Sequence, residues 1–226
     1  MSMQNKNVLV VGGSRGIGSG VVKKFNEMGA NTFYFSRNNN SDLKSAHISV
    51  DLFHDNSIIN GFKKLDKKIS SLDILVNVAG INYCKNHNEI SYEEFNEVLQ
   101  VNLSSFFLTC KESITRMNKG SKIVNVSSIA GRNKSIVSGV HYTSSKAGII
   151  GLTRQLAHEL GPIGININCI CPSQTETDML IESMSKKERK SLAKKIPLRR
   201  LATINDIVNP IIFLCSDESS YIHGSC

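Results

Sequence analysis

The sequence predicts an α/β fold in which a doubly wound parallel sheet is covered by helices on both faces. Three observations carry this expectation. Short, continuous apolar runs recur along the chain, as strands buried on both sides require. Segments of helical length, with apolar residues three and four apart, separate them. The first apolar run passes directly into a glycine-rich turn and then an amphipathic segment, the order of a Rossmann-type βα unit.

In chain order, strands are expected at residues 8–11 (VLVV), 32–35 (TFYF), 47–50 (HISV), 74–78 (ILVNV), 123–126 (IVNV) and 165–170 (ININCI). The first helix sets Val21, Val22, Phe25 and Met28 on one face, and the second does so with Ile58, Phe62, Leu65 and Ile69. Ser91 with Glu94, and Thr203 with Asp206, read as N-terminal caps of later helices. A helix over 101–117 and another carrying Tyr142 bring the expected total to about six. The asparagine-rich RNNNSDL, residues 37–43, reads as a surface loop where a full helix would otherwise join strands two and three. No repeat, linker or low-complexity tail interrupts the pattern, so residues 1–226 are expected to form one dinucleotide-binding and catalytic domain.

Composition narrows the function. The chain is 40% apolar, enough for a sizeable core. Its formal net charge is +8, but the basic residues are dispersed. Their densest run, KKERKSLAKK at 186–195, has no interleaved aromatics and there is no Trp, which argues against nucleic-acid binding. Six cysteines occur without a CxxC pair, in keeping with a reduced, cytoplasmic protein, and no metal site is expected. The opening apolar run is too short for a signal peptide or membrane span, so no membrane association is expected.

The turn after the first strand is GGSRGIG, residues 12–18. Glycines there let the backbone approach a diphosphate, and the next helix offers free N–H groups at its start. Gly12, Ser14, Arg15, Gly16, Ile17 and Gly18 are the candidate contacts. The loop lacks the GK[ST] ending of an ATP-type phosphate loop. Strand two ends in Ser36 and Arg37 rather than an acid, and Arg15 lies in the turn. Two guanidiniums and no carboxylate suit a ribose carrying a 2′-phosphate, so NADP(H) is expected. Asp51, followed by Leu52, ends strand three, where its carboxylate can accept from the adenine amino group.

Tyr142 and Lys146 stand one helical turn apart and share a face. A free phenol titrates near pH 10; a neighbouring ammonium is expected to lower that, while keeping donors for a ribose hydroxyl. Ser127 and Ser128 end strand five, at the edge of an open sheet where ligands gather.

On these residues the chain resembles the short-chain dehydrogenase/reductase family. GGSRGIG is similar to its glycine loop, Asp51 to its adenine-contacting acid, and NVAG (77–80) to its NNAG-like motif. NVSSIAG (125–131) resembles its serine strand, with Ser128 the matching serine, and YTSSK matches YxxxK. Asn102, in QVNLSSFF, matches its asparagine, and CPSQTETDM (171–179) its PGxxxT segment. These motifs occur in order across residues 8–224. The resemblance implies a catalytic set of Asn102, Ser128, Tyr142 and Lys146. In it NADPH delivers hydride to a carbonyl carbon, Tyr142 protonates the oxygen and Ser128 orients it. Lys146 lowers the phenol pKa and holds the nicotinamide ribose, and Asn102 keeps a helix bend open for a proton-leading water. Asn77, Ala79, Gly80, Pro172, Ser173, Thr175 and Thr177 join the implied cofactor contacts, with Tyr142 and Lys146. A substrate lid near 178–200 and a homotetramer or homodimer are also implied.

Within the family, NLSSFF, TETDM, IPLRRL and FLCSDESSYIHG most resemble 3-oxoacyl-[acyl-carrier-protein] reductases. That implies reduction of a 3-oxoacyl thioester to the 3-hydroxyacyl product, its substrate borne on an acidic carrier protein. The basic helix starting near Ser185, with Glu188 as capping partner, would complement such a partner. Two alternatives stand beside it: the same chemistry on a sugar, cyclic diol or other small alcohol or ketone, and a catalytically weak nucleotide-binding protein. Three departures bear on the choice. Ile163 stands where the reductases carry a docking arginine, though Lys119 matches a second docking base; Ser173 replaces the glycine of PG; and Cys226 stands where a seventh strand would begin, so that strand is expected to be missing.

Overall fold

The computed structural model describes residues 2–226. Six strands, β1 (Asn7–Val11), β2 (Asn31–Ser36), β3 (Ala46–Ser49), β4 (Leu72–Asn77), β5 (Met117–Val126) and β6 (Asn166–Ile170), form one parallel sheet in the order β3-β2-β1-β4-β5-β6. Nine α-helices occur among the described residues: α1 (Gly16–Glu27), α2 (Asp55–Leu65), α3 (Tyr92–Leu99), α4 (Ser105–Ile114), α5 (Ile129–Arg132), α6 (Val140–Leu160), α7 (Asp178–Ser183), α8 (Lys186–Lys195) and α9 (Ile204–Leu214).

The continuous apolar strands divide their residues between two cores, because successive side chains point to opposite faces. Val8, Val10, Tyr34, Ile74, Val76 and Val124 pack with Val21, Val22 and Phe25 of α1 and Val208 and Ile211 of α9. Leu9, Val11, Phe33, Phe35, Leu75 and Ile123 pack on the other face with Ile58, Phe62 and Leu65 of α2, Cys110 of α4 and Leu160 of α6. A fully buried side chain such as Phe25 contributes about 1.5–3 kcal/mol relative to exposure, so each face is anchored by several such groups. α1 and α9 meet closely at Gly20, where a Cβ would lie 2.5 Å from Ile204 Cγ2.

β1 neighbours both β2 and β4, and the connections leave it in opposite directions. That reversal opens a crevice beyond the carboxyl ends of the strands. No helix of the described residues is long and apolar enough to cross a membrane.

Several expectations are corrected in detail. The helix expected over 101–117 is instead a π-helical turn at Gln100–Ser104, then α4, and β5 already begins at Met117. Met117 pairs with Leu72 before a register shift brings Lys122 opposite Ile74, so β5 is longer than its apolar run. Loop 37–43 contributes to the interior: Leu43 is buried in the first core, and the Tyr34 hydroxyl accepts from Asn40 N–H at 3.0 Å. The caps form as expected: Thr203 with Asp206, and Ser185 with Glu188, make reciprocal capping boxes, and Ser91 accepts from Glu94 N–H at 3.2 Å. Past α9, Gly224 N–H donates to Ile167 O and Cys169 N–H to Ser225 O, both at 2.8 Å, so the final residues run alongside β6.

Candidate active site

A cleft of about 1120 Å³ occupies the crevice at the carboxyl ends of the strands. Its floor is the turn after β1. Gly12 N–H donates to Phe35 O at 2.8 Å, and Ala79 N–H to Val11 O at 3.1 Å, which brings the turn against residues 78–80. Gly12 has φ +87°, and a Cβ there would lie 2.7 Å from the Ala79 backbone. A side chain at Gly18 would meet Gly12 O at 2.0 Å. α1 begins at Gly16 with neither a side-chain cap nor an acid in its first turn, so its leading N–H groups stay available to an anion. These features fit a dinucleotide diphosphate.

Of the expected cofactor contacts, Gly12, Ser14, Arg15, Gly16, Ile17, Gly18, Ser36, Arg37, Asp51, Leu52, Ala79, Gly80, Pro172, Ser173, Thr175 and Thr177 all line the cleft. Asn77 does not. It is fully buried in the sheet, donating to Asn125 Oδ1 at 3.0 Å and accepting from Thr109 Oγ1 at 2.9 Å, so it positions β4 against β5 instead of meeting a ligand. Arg15 and Arg37 are both exposed at the end where strand two opens. Arg15 faces Glu182 of α7 at 3.9 Å, an exposed pair worth at most about 1 kcal/mol and easily exchanged for a better anion. Asn40 Nδ2 donates to Ser14 O at 2.7 Å, tying the asparagine loop to the glycine turn.

Ser128, Tyr142 and Lys146 line the opposite wall. Ser128 caps α5 by accepting from Ala130 N–H at 3.1 Å, and its hydroxyl also hydrogen-bonds the Tyr142 phenol. Ser127 points inward and donates to Lys146 O at 2.6 Å, docking α6 onto the end of β5. Lys146 is buried; its ammonium donates to Val126 O at 3.0 Å and sits 5.5 Å from the Phe106 ring centroid and 5.6 Å from that of Tyr142. Burial lowers its pKa to about 8.

The phenol departs from expectation. Its pKa is raised, because burial outweighs the Ser128 hydroxyl that favours the phenolate, and Lys146 does not drive the shift. The physical reason is the bend of the lysine side chain: sharing a helix face brings Nζ near the ring, but its hydrogen bond is made to the end of β5.

Asn102 lies in the π turn, fully buried behind the cleft. Its Oδ1 accepts from Ile81 N–H at 2.8 Å, and its Nδ2 donates to Ile81 O at 2.9 Å and Ser145 Oγ at 3.1 Å. These bonds clamp the 79–81 turn to α6.

Other cleft residues escaped the sequence reading. Asn82, Glu93, Glu97, Ser135 and Ser138 line its outer part, with Ile136, Met179 and Leu180. Asn82 Nδ2 donates to Ser138 Oγ at 3.2 Å, joining two loops 56 residues apart. Of these only Asn82 falls in the polar stretch 81–90, whose sequence names no partner, and Met179 and Leu180 fall in the expected lid.

Residues 11–226 match the family model described as Enoyl-(Acyl carrier protein) reductase. A 3-oxoacyl-[acyl-carrier-protein] reductase from Aquifex aeolicus is 33% identical over 238 residues, covering 99% of this chain and 95% of that protein. A 3alpha-hydroxysteroid dehydrogenase from Mediterraneibacter gnavus is 34% identical over 243 residues, with 99% and 95% covered. Among solved structures, ligand-free Thermoplasma acidophilum aldohexose dehydrogenase superposes with a TM-score of 0.93 at 26% identity, covering 99% of this chain and 92% of that one. With the glycine turn, the serine-ended strand and the Tyr-Lys helix all on one cleft, the chain belongs to the short-chain dehydrogenase/reductase family, nicotinamide-dependent oxidoreductases acting on CH–OH and C=O groups.

Proposed function

We propose that this protein is an NADP(H)-dependent carbonyl reductase whose substrate is a 3-oxoacyl thioester. The observation that carries this reading is the cleft itself: Ser128, Tyr142 and Lys146 face it from one wall, and the glycine turn with Arg15 and Arg37 from the other. When bound, reduced nicotinamide supplies the hydride. The chain's own residues do the rest. Tyr142 gives its hydroxyl proton to the carbonyl oxygen; its raised pKa keeps that proton in place at neutral pH. Ser128, whose hydroxyl already meets the Tyr142 phenol, turns its proton to the same oxygen. Lys146 keeps two donors beyond the one given to Val126 O, available to ribose hydroxyls and to the phenolate left after proton transfer. Arg15 and Arg37 hold the 2′-phosphate of the ribose.

The likeness to 3-oxoacyl reductases supports the acyl substrate. An acidic carrier protein suits the exposed lysines of α8, Lys186, Lys187, Lys190 and Lys194, on the segment (178–200) that acts as substrate lid. Ile163 is exposed beside Lys119, so the second docking patch carries one cation. A sugar or other hydroxylated ketone is the second reading, favoured by Asn82, Glu93, Glu97, Ser135 and Ser138 around the outer cleft.

An initial-rate panel with NADPH and with NADH tests both readings, offering acetoacetyl thioesters, aldohexoses or their lactones, and steroid ketones. NADPH-dependent thioester reduction is the expected result. Turnover confined to the sugars would transfer the assignment to the second reading, and equal rates with NADH would overturn the cofactor.

A further inference from the structure

Three thiols lie together beneath the cleft, and none has a part in the reaction above. Cys169 on β6 is buried, with Cys171 and Cys226 packed against the same cluster as Phe106, Ile149 and Ile150. Cys169 on β6 and Cys171, one residue past its end, lie in the same cluster. All are free. Cys171 is half-buried, and Arg132 and Lys146 both lend it positive charge, while Arg132 Nη1 also donates to Cys226 O at 3.2 Å. A partly accessible thiol in an electropositive setting is the setting of a reactive cysteine.

We propose that Cys171 is a thiol-modification site that reacts with small-molecule disulfides, and that Cys169 resolves the product into a Cys169–Cys171 bridge. In the first step the Cys171 thiolate forms a bond to one sulfur of RSSR, whose S–S bond breaks to release RS⁻. In the second, the Cys169 thiol loses its proton and attacks Cys171 Sγ, expelling the other RS⁻. Two cysteines are oxidised by two electrons, and RSSR is reduced to two thiols. The order follows from the environment. A hydrogen bond from Cys169, then the charges of Arg132 and Lys146, hold the Cys171 thiol below its ordinary range, whereas its hydrogen bond to Cys171 and burial push Cys169 up.

The bridge requires the chain to close up: two residues of extended chain separate their Cα atoms by about 6.6 Å, the upper end of the disulfide range, and same-side Cβ atoms by about as much, beyond the ~3.5–4.5 Å a bridge spans. β6 ends at Ile170, so Cys171 stands outside the ladder and can shift toward Cys169. That shift carries Pro172, whose carbonyl accepts from Ile129 N–H at 2.9 Å and whose ring lines the cleft. Bridge formation therefore weakens dinucleotide binding, a consequence that rests on the cofactor reading.

The test uses oxidised glutathione on a Cys84→Ser background, which removes the exposed thiol. Peptide mass mapping should find a loss of two hydrogens in the segment holding Cys169 and Cys171, reversed by reductant, with NADPH affinity down at least about tenfold. Cys169→Ser should stop at a glutathione adduct on Cys171. Cys171→Ser should keep basal activity and lose the bridge, and Cys226→Ser should keep both. A bridge or adduct elsewhere, or unchanged oxidation in Cys171→Ser, overturns the site. A bridge that forms with NADPH affinity unmoved overturns the coupling. Failure of the reduced protein to bind NADPH counts against the cofactor reading alone.

Discussion

Replacing Lys146 with Met should abolish turnover and yet stabilise the protein at neutral pH. Lys146 is 3% exposed and its pKa falls from 10.5 to about 8 through burial. Between those values the folded state binds fewer protons than the unfolded chain, so stability rises with pH there. Below pH 8 the full cost of housing the ammonium is present. A fall from 10.5 to about 8 is equivalent to about 3 kcal/mol as an upper bound. Removing the charge-assisted bond to Val126 O returns about 1.5–3 kcal/mol of that cost. Methionine fills nearly the same space against Phe106 and Tyr142. A net gain of about 1 kcal/mol should appear near pH 7, which for a chain of this size raises Tm by about 2–4 °C. Urea unfolding of both proteins at pH 7 and pH 10.5 measures it. The advantage of the variant should shrink at the higher pH, where the wild-type lysine sheds its proton in the folded state. A variant less stable at pH 7, or an advantage indifferent to pH, refutes the reasoning.

Tyr142→Phe should fold normally and reduce ketones about 10²–10⁴-fold more slowly, since the proton donor is gone; initial rates within threefold of wild type would remove the phenol from the reaction. Arg37→Ala should raise the KM for NADPH by about 10–100-fold, the loss of one charge-assisted bond of about 1.5–3 kcal/mol, and leave NADH unchanged; equal effects on both cofactors would contradict the 2′-phosphate role. Gly12→Val forces a branched side chain into the Ala79 backbone at positive φ, so dinucleotide fluorescence titration should show no binding and Tm should fall; retained binding would mean the turn moves freely. Charge reversal of Lys186, Lys190 and Lys194 should raise KM for carrier-borne thioesters and flatten its salt dependence, with small thioesters unaffected; a matching loss on small thioesters would point to the lid and not to docking.

The parallel sheet was legible because its strands are apolar on both faces, and Val8 to Val11 already announce two cores. The site was legible wherever a short motif equals a local geometry, as at the glycine turn. What stayed hidden depends on distant partners. Residues 117–120, MNKG, carry no strand pattern; their place comes from Leu72 across the sheet. The π turn adds one residue to a helical repeat and leaves the apolar periodicity nearly unchanged, so Gln100–Ser104 reads as ordinary helix. Asn77 sits in a cofactor-like motif, but Thr109 and Asn125 claim its amide. The same holds for Lys146: spacing predicts a shared face, not the carbonyl its long side chain selects.

The pattern of satisfied and unsatisfied hydrogen-bonding capacity separates the residues that position from those proposed to act. Asn102 uses both ends of its amide on Ile81 and Ser145, and Ser127 gives its proton to Lys146 O. Asn77 and Asn125 are linked to each other and to Thr109 and Thr153. Rigid, fully used groups of this kind fix geometry, since each alternative rotamer would break a buried bond. Ser128 is different: it accepts from Ala130, and its hydroxyl meets the Tyr142 phenol at the cleft. Lys146 commits one of three protons. Ser128 and Lys146 line the cleft, as Ser127 does, whereas Asn102 and Asn77 support it from behind. Donors held in place before a substrate arrives need no reorganisation when charge develops on a carbonyl oxygen, and that pre-set arrangement is what a reductase of this family requires. The buried, under-bonded lysine is thus a stability cost with a chemical purpose, and the gain expected from Lys146→Met is the measure of that cost.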